Sequence, residues 1–141
     1  MISEIGYREA RELLLNQNIG RLGCCHHDMP YVVPVNYFFD GEDIYIHSMP
    51  GRKIQTMRAN PYVCLQVDEI KDTFNWLSVI AFGRFEEVLY DTAERDRIMA
   101  AMFQRFPHLT PVESKAREGL SDVIFFRIRI ERITGVSEHR S

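Results

Sequence analysis

The feature that most constrains the fold is a series of strand-like runs joined by very short connections. Residues 27–30 (His-Asp-Met-Pro) and 40–43 (Asp-Gly-Glu-Asp) are typical of tight turns between antiparallel strands. A helix separates strands only once early in the chain, whereas a doubly wound parallel sheet needs one after nearly every strand. The pattern predicts a mainly β fold with flanking helices, a six-stranded antiparallel Greek-key barrel that begins with a three-stranded meander. The predicted strands cover residues 19–25, 31–39, 44–47, 62–68, 76–88 and 123–133.

Capping and breaking residues locate the helices. Ser3 is a suitable N-cap for a first helix, and Asp91 or Thr92 for a later one. The helix between these two ends before Pro61, because a residue that precedes proline disfavours the helical conformation. Gly83 is predicted to form a bend or bulge in the fifth strand. The predicted helices cover residues 4–17, 50–59, 91 or 92 to about 106, and 111–118.

Length and charge restrict the class of protein. A chain of 141 residues with 45% hydrophobic and 26% charged residues suits one domain over residues 1–141. The net charge of −3 argues against nucleic-acid binding, which needs a concentrated basic face. No apolar run is long enough to span a bilayer, and the first residues lack the features of a signal peptide. We therefore expect a cytoplasmic protein with neither a nucleic-acid nor a membrane partner.

Three cysteines, Cys24, Cys25 and Cys64, cannot all pair, and free thiols suit a reducing compartment. Cys24 and Cys25 begin a Cys-Cys-His-His-Asp run that has the residue types of a metal site. Consecutive strand residues alternate between faces, so contiguous ligands cannot converge on one tetrahedral ion as spaced pairs do. We expect no metal here, and a strand end that leads into a polar turn.

The segment from Ser48 to Lys53 follows a strand-like run and has the composition of an anion-binding helix start. Ser48 is a natural N-cap, and Pro50 suits the first helical turn. Arg52 and Lys53 add two positive charges to the partial positive charge of a helix N-terminus, which predicts a phosphate ligand. The alternative is a surface helix whose two cations are simply solvated.

Short segments in a fixed order cover most of the chain. They are residues 20–23, 30–37, 44–48, Gly51-Arg52-Lys53, Asn60-Pro61, 78–84 and 133–135. Together these segments resemble the flavin-binding split-barrel superfamily that includes pyridoxamine 5′-phosphate oxidase. The nearest resemblance is to its nitroimidazole-resistance and flavin-nucleotide-binding branch. The resemblance implies a split β-barrel homodimer with one FMN at each of two clefts between the subunits.

The resemblance also implies a set of cofactor-binding residues. It places the FMN phosphate at Arg52 and Lys53. In addition it places Val35, Asn36 and Tyr37 beside the isoalloxazine ring, His47 and Ser48 near the phosphate or ribityl chain, and Ser78 and Val79 where they close the cleft.

Several of these residues have a structural alternative. Val35 and Tyr37 share a strand face and could be ordinary core, with Asn36 solvated on the other face. His47 could be a hydrogen-bonded strand histidine. Trp76 and Phe82 could stack on a ring, but aromatic residues on a long strand more often serve packing, and we leave both out of the predicted site.

The predicted function is that of an FMN-dependent oxidoreductase acting on a small molecule, with nitroaromatic reduction suggested by the resemblance. No nucleophile and base stand at a recognisable spacing, so the flavin itself would carry the redox step. Two alternatives remain open. One is a flavin-binding, storage or sensor protein without turnover. The other is a haem-binding member of the same superfamily, with His47, His26 or His27 as the axial ligand.

Overall fold

A computed structural model describes residues 1–89, 92–105 and 123–140 of the chain. Within these residues, eight β-strands belong to one sheet, and three α-helices accompany it. In chain order the elements are β1 (Ile2–Glu4), α1 (Tyr7–Asn16), β2 (Ile19–His26), β3 (Met29–Asn36), β4 (Phe38–Phe39), β5 (Asp43–Ser48), α2 (Arg52–Ala59), β6 (Tyr62–Asp72), β7 (Asn75–Glu87), α3 (Ala93–Arg105) and β8 (Ile124–Glu138).

The order of the strands shows that the sheet curls into a barrel. Hydrogen-bonded neighbours follow the order β3-β2-β6-β7-β8-β5-β4, and β1 pairs with β8. The ladders are antiparallel. β3 and β4 lie at opposite ends of this order, yet Tyr37 alone separates them in the chain. The two ends of the sheet must therefore meet, and the predicted mainly β, antiparallel barrel class is confirmed.

Two details of the predicted sheet are wrong. All six predicted runs form strands, but the second is divided at Tyr37 into β3 and β4, and β1 is an additional strand. The predicted meander is absent from the described sheet, because β2 pairs with β3 and β5 pairs with β4, at opposite ends of the strand order. Local turn signals identified both hairpins correctly, whereas their positions in the sheet depend on pairing with distant strands.

The first helix begins later than predicted. Ser3 lies in β1, α1 begins at Tyr7, and the N-cap position is Gly6, which has no side chain to cap the helix. β8 continues to Glu138, and its last residues pair with β1, so that Ile2 lies opposite Glu138. Ser3 and Glu4, the predicted cap and first residue of the helix, therefore belong to this long-range ladder instead.

Other local predictions agree with the structure. The Thr92 hydroxyl accepts a hydrogen bond from the Arg95 N–H at 3.1 Å and caps α3. The register of β7 against β8 shifts between Phe82 and Gly83, and a Cβ atom at Gly83 would collide with the Arg129 carbonyl oxygen. The alternative cap Asp91, the predicted helix end near residue 106 and the predicted helix over 111–118 lie outside the described residues.

Helices cover different parts of the barrel. α1 and α2 contribute to the main core, where Leu14, Ile54 and Met57 are almost completely buried. α3 packs in a second cluster, with Ile98 and Met102 against Tyr45, Phe125 and their neighbours. Since Ile54 and Met57 hold α2 in the core, the start of this helix is held beside the ends of β3 and β5. Within the described residues, no helix has the length and apolarity needed to cross a membrane.

Candidate functional site

A groove of about 420 Å³ lies between edge strand β3, the end of β5 and the start of α2. Six of the nine predicted site residues line it: Val35, Asn36, His47, Ser48, Arg52 and Lys53. β3 and β5 share no ladder in the described sheet, so the groove follows the side on which the barrel is open.

The start of α2 differs from the prediction. The helix begins at Arg52 with Gly51 as its N-cap, and no side chain caps it. Ser48 is therefore not the cap; its hydroxyl donates a hydrogen bond to the Met49 carbonyl oxygen at 2.8 Å. Pro50 also precedes the helix. Within the part of the chain that the structure describes, no side chain accepts a hydrogen bond from the N–H groups of the first turn, so they are available to a ligand in the groove.

Arg52 and Lys53 differ from the arginine side chains that form ion pairs. Within the described residues, neither contacts a carboxylate, whereas Arg21, Arg58 and Arg129 each pair with one. Arg52 is exposed and Lys53 is half-buried. Burial lowers the pKa of Lys53, while the nearby Cys24 thiol acts in the opposite direction. Two cations without acidic partners therefore lie at an uncapped helix start.

The backbone of β3 contributes polar groups to the groove. The Tyr37 N–H donates to the Asn18 carbonyl oxygen at 3.0 Å, which continues the β2–β3 ladder by one pair. Because antiparallel residues alternate between bonding the partner strand and facing away, the free backbone groups of Pro34 and Asn36 face away from β2. Proline has no N–H. This edge therefore offers a carbonyl acceptor at Pro34 beside an N–H donor at Asn36.

His47 and Ser48 form the opposite wall of the groove. They are the last two residues of β5, and the register places His47 opposite Phe125 of β8. The His47 ring meets the Phe125 ring edge-on, with 5.9 Å between centroids. His26 and His27 lie at the β2–β3 turn and do not line the groove.

The other three predicted residues lie outside the groove of a single chain. Tyr37 is fully buried, and its hydroxyl donates to the Leu14 carbonyl oxygen at 2.8 Å. Burial raises the pKa of Tyr37 well above its ordinary value. Val79 is also core, and the Ser78 hydroxyl is 3.0 Å from the side-chain amide nitrogen of Gln66 on the outer face of the sheet.

The predicted site residues omit four side chains that line the groove: Pro34, Met49, Pro50 and Tyr31. Among these four, Tyr31 has a polar group. It lies on β3 directly opposite Cys24 of β2. The alternation Tyr31, Val33, Val35 places it on the same strand face as a residue that was predicted, and all three are half-buried. That alternation is the signal that could have identified it.

One part of the outer face of the sheet is apolar and exposed. Val32 is 69% exposed and Tyr62 is 57% exposed. Between them lies a depression of about 390 Å³ whose lining includes Cys64 and Phe82. Exposed apolar patches of this kind mark surfaces that bind another molecule.

Comparisons with known proteins agree with this architecture. The family model described as pyridoxamine 5′-phosphate oxidase matches residues 7–137. An uncharacterised protein of Rhizobium meliloti (strain 1021) is 35% identical over 135 residues, which are 90% of this chain and 89% of that protein.

Solved structures extend the comparison. An FAD-binding protein from Mesorhizobium loti is 32% identical, with a TM-score of 0.80 over 99% of this chain and 98% of the other. The haem storage protein HutZ of Vibrio cholerae has a TM-score of 0.73 at 18% identity, over 90% of this chain and 92% of the other, and shares the fold. The chain belongs to the pyridoxamine 5′-phosphate oxidase family.

Proposed function

We propose that this protein binds FMN in the groove, with the phosphate at the start of α2. The observation that carries the proposal is the pair of cations, Arg52 and Lys53, at an uncapped helix N-terminus that opens into the groove. A helix N-terminus with free N–H groups favours an anion, and charge-assisted hydrogen bonds from both side chains add to it. Membership of a flavin-binding family supports the choice of ligand.

The polar edge of β3 suits the isoalloxazine ring. The pyrimidine edge of this ring carries an N–H donor between two carbonyl acceptors. Pro34 offers an acceptor and Asn36 a donor side by side along the strand, which is the complementary order. Val35 packs beneath this edge, and His47 and Ser48 face the ribityl chain from the other wall.

We further propose that two copies pair through the apolar outer face of the sheet. Pairing would bury Val32, Tyr62 and Phe82, which a monomer leaves wholly or partly in water. It would also place Ser78, which lies on this face, beside the cleft of the other copy. Tyr37 and Val79 would support the cleft from the core. Light scattering at micromolar protein is expected to give the mass of a dimer, and a monomer that holds stoichiometric FMN would contradict a shared cleft.

Bound FMN would supply the redox chemistry, and this chain's residues would bind and orient it. We propose an oxidoreductase that acts on a small molecule, with a nitroaromatic compound as the first substrate to test. Free cysteines at positions 24, 25 and 64 support a reducing, cytoplasmic location.

The absorption spectrum of the purified protein tests the proposal directly. A flavin spectrum is expected, and a haem spectrum or an empty site after incubation with FMN would contradict it. Anaerobic addition of a nicotinamide donor then distinguishes two forms of the proposal. Bleaching at a rate useful for catalysis supports an oxidoreductase, and a flavin that stays oxidised supports a binding or storage protein.

A further inference from the structure

Tyr31 lines the groove, and the proposed FMN site gives its hydroxyl no role. Its side chain is half-buried, and within the described residues its hydroxyl makes no hydrogen bond. A tyrosine hydroxyl that a bound ligand removes from water needs a hydrogen-bond partner. The hydroxyl is therefore a neutral donor available to a ligand in the same groove that contains Arg52 and Lys53.

Tyr31 lines the groove together with Arg52 and Lys53, and it also lines the apolar depression beside Val32. Tyr31 and Cys24 are directly paired across β2 and β3, on the inner face of the barrel. α2, which carries Lys53, packs against β2, which carries Cys24. Tyr31 and Lys53 both line the groove.

We propose that Tyr31 makes the site selective for FMN over FAD by donating its hydroxyl to a terminal oxygen of the phosphate monoester. This inference rests on the proposed function. A monoester phosphate has three terminal oxygens, whereas the corresponding phosphate of FAD has only two, since the third links it to the adenylate. Arg52, Lys53 and the helix N–H groups can bind two oxygens in either ligand, and Tyr31 adds a donor for the third.

The experiment compares dissociation constants for FMN, FAD and riboflavin in the parent protein, Tyr31→Phe and Tyr7→Phe. The phenylalanine keeps the ring of Tyr31 and removes only its donor. Tyr7 is 64% exposed on α1 and serves as the matched control. Parent protein is expected to prefer FMN to FAD. Tyr31→Phe should weaken FMN binding about tenfold or more, because the acceptor is charged, and should leave FAD and riboflavin unchanged.

Three results would overturn the role of Tyr31 and leave the phosphate site in place. The first is equal affinity of the parent for FMN and FAD, and the second is unchanged FMN affinity in Tyr31→Phe. The third is an equal loss of affinity for all three flavins in Tyr31→Phe, which would show a packing role. Failure of the proposed function gives different results. In that case the parent binds none of the three flavins, or binds riboflavin as tightly as FMN, and both proposals fall together. The Tyr7→Phe variant should match the parent throughout.

Discussion

Replacing Lys53 by alanine tests the proposed phosphate site most directly. A hydrogen bond to a charged group contributes about 1.5–3 kcal/mol, and about 1.4 kcal/mol corresponds to a factor of ten in affinity. Lys53 is half-buried, so water screens its charge only in part. Lys53→Ala should therefore weaken FMN binding by about 10- to 100-fold. Arg52 is exposed, and we expect a loss of about tenfold or less for Arg52→Ala.

Quenching of flavin fluorescence measures these affinities. Titrations with FMN and riboflavin at two ionic strengths separate the phosphate contribution from that of the ring. Neither variant should change riboflavin affinity, and added salt should reduce the effect of Arg52→Ala more than that of Lys53→Ala. Lys71→Ala, which removes an exposed lysine from β6, is the control and should bind FMN like the parent.

The pH dependence adds a second signature. Burial lowers the pKa of Lys53 from its ordinary value of 10.5. Between the lowered and the ordinary pKa the unfolded chain binds more protons, so the free energy of unfolding of the flavin-free protein should rise with pH. FMN affinity should fall over the same window, because Lys53 loses its charge. Lys53→Met should remove both trends.

Two results would refute this reasoning. One is a Lys53→Ala variant that keeps the parent's thermal midpoint and also its FMN affinity. The other is a parent protein that binds riboflavin as tightly as FMN. Either result would show that the start of α2 is only a solvated helix end.

Three further substitutions test the fold. Tyr37→Phe leaves the buried Leu14 carbonyl without its hydrogen bond and should lower the free energy of unfolding by about 1–3 kcal/mol in urea titrations. The raised pKa of Tyr37 also predicts that the parent loses stability above pH 10, because there only the folded chain keeps the Tyr37 proton. Tyr37→Phe should remove this loss. Gly83→Ala forces a methyl group against the Arg129 carbonyl and should lower the thermal midpoint, at a cost of about 1–3 kcal/mol; an unchanged midpoint would contradict the close approach. Asp28 has φ of 60° in the β2–β3 turn, so Asp28→Gly should raise the free energy of unfolding by about 0.5–1 kcal/mol, and a loss would show that its side chain stabilises the turn.

Features that depend on neighbouring residues could be read from the sequence. A turn was predicted over residues 27–30 and forms at residues 27 and 28, since Met29 and Pro30 belong to β3. Thr92, one of two predicted caps, and the irregularity at Gly83 agree with the structure. Each of these features arises from the backbone preferences of a few consecutive residues. Each of the six runs predicted as strands from their residue pattern likewise contains a strand in the structure. The juxtaposition of Arg52 and Lys53 with a helix start was also visible, since both residues lie in the first turn of α2.

Features that depend on closure of the barrel could not be read in this way. The surroundings of Tyr37, which the family resemblance places beside the isoalloxazine ring, are one example. Tyr37 lies where β3 passes into β4, and its buried hydroxyl donates to the Leu14 carbonyl oxygen of α1. β1 forms by hydrogen bonding to the distant end of β8. Because Ser3 lies in this ladder, α1 begins later, at Tyr7. The groove itself exists because β3 and the end of β5 approach each other when the sheet curls. The sequence determined the local elements and the cations, whereas long-range strand pairing decided which residues surround them.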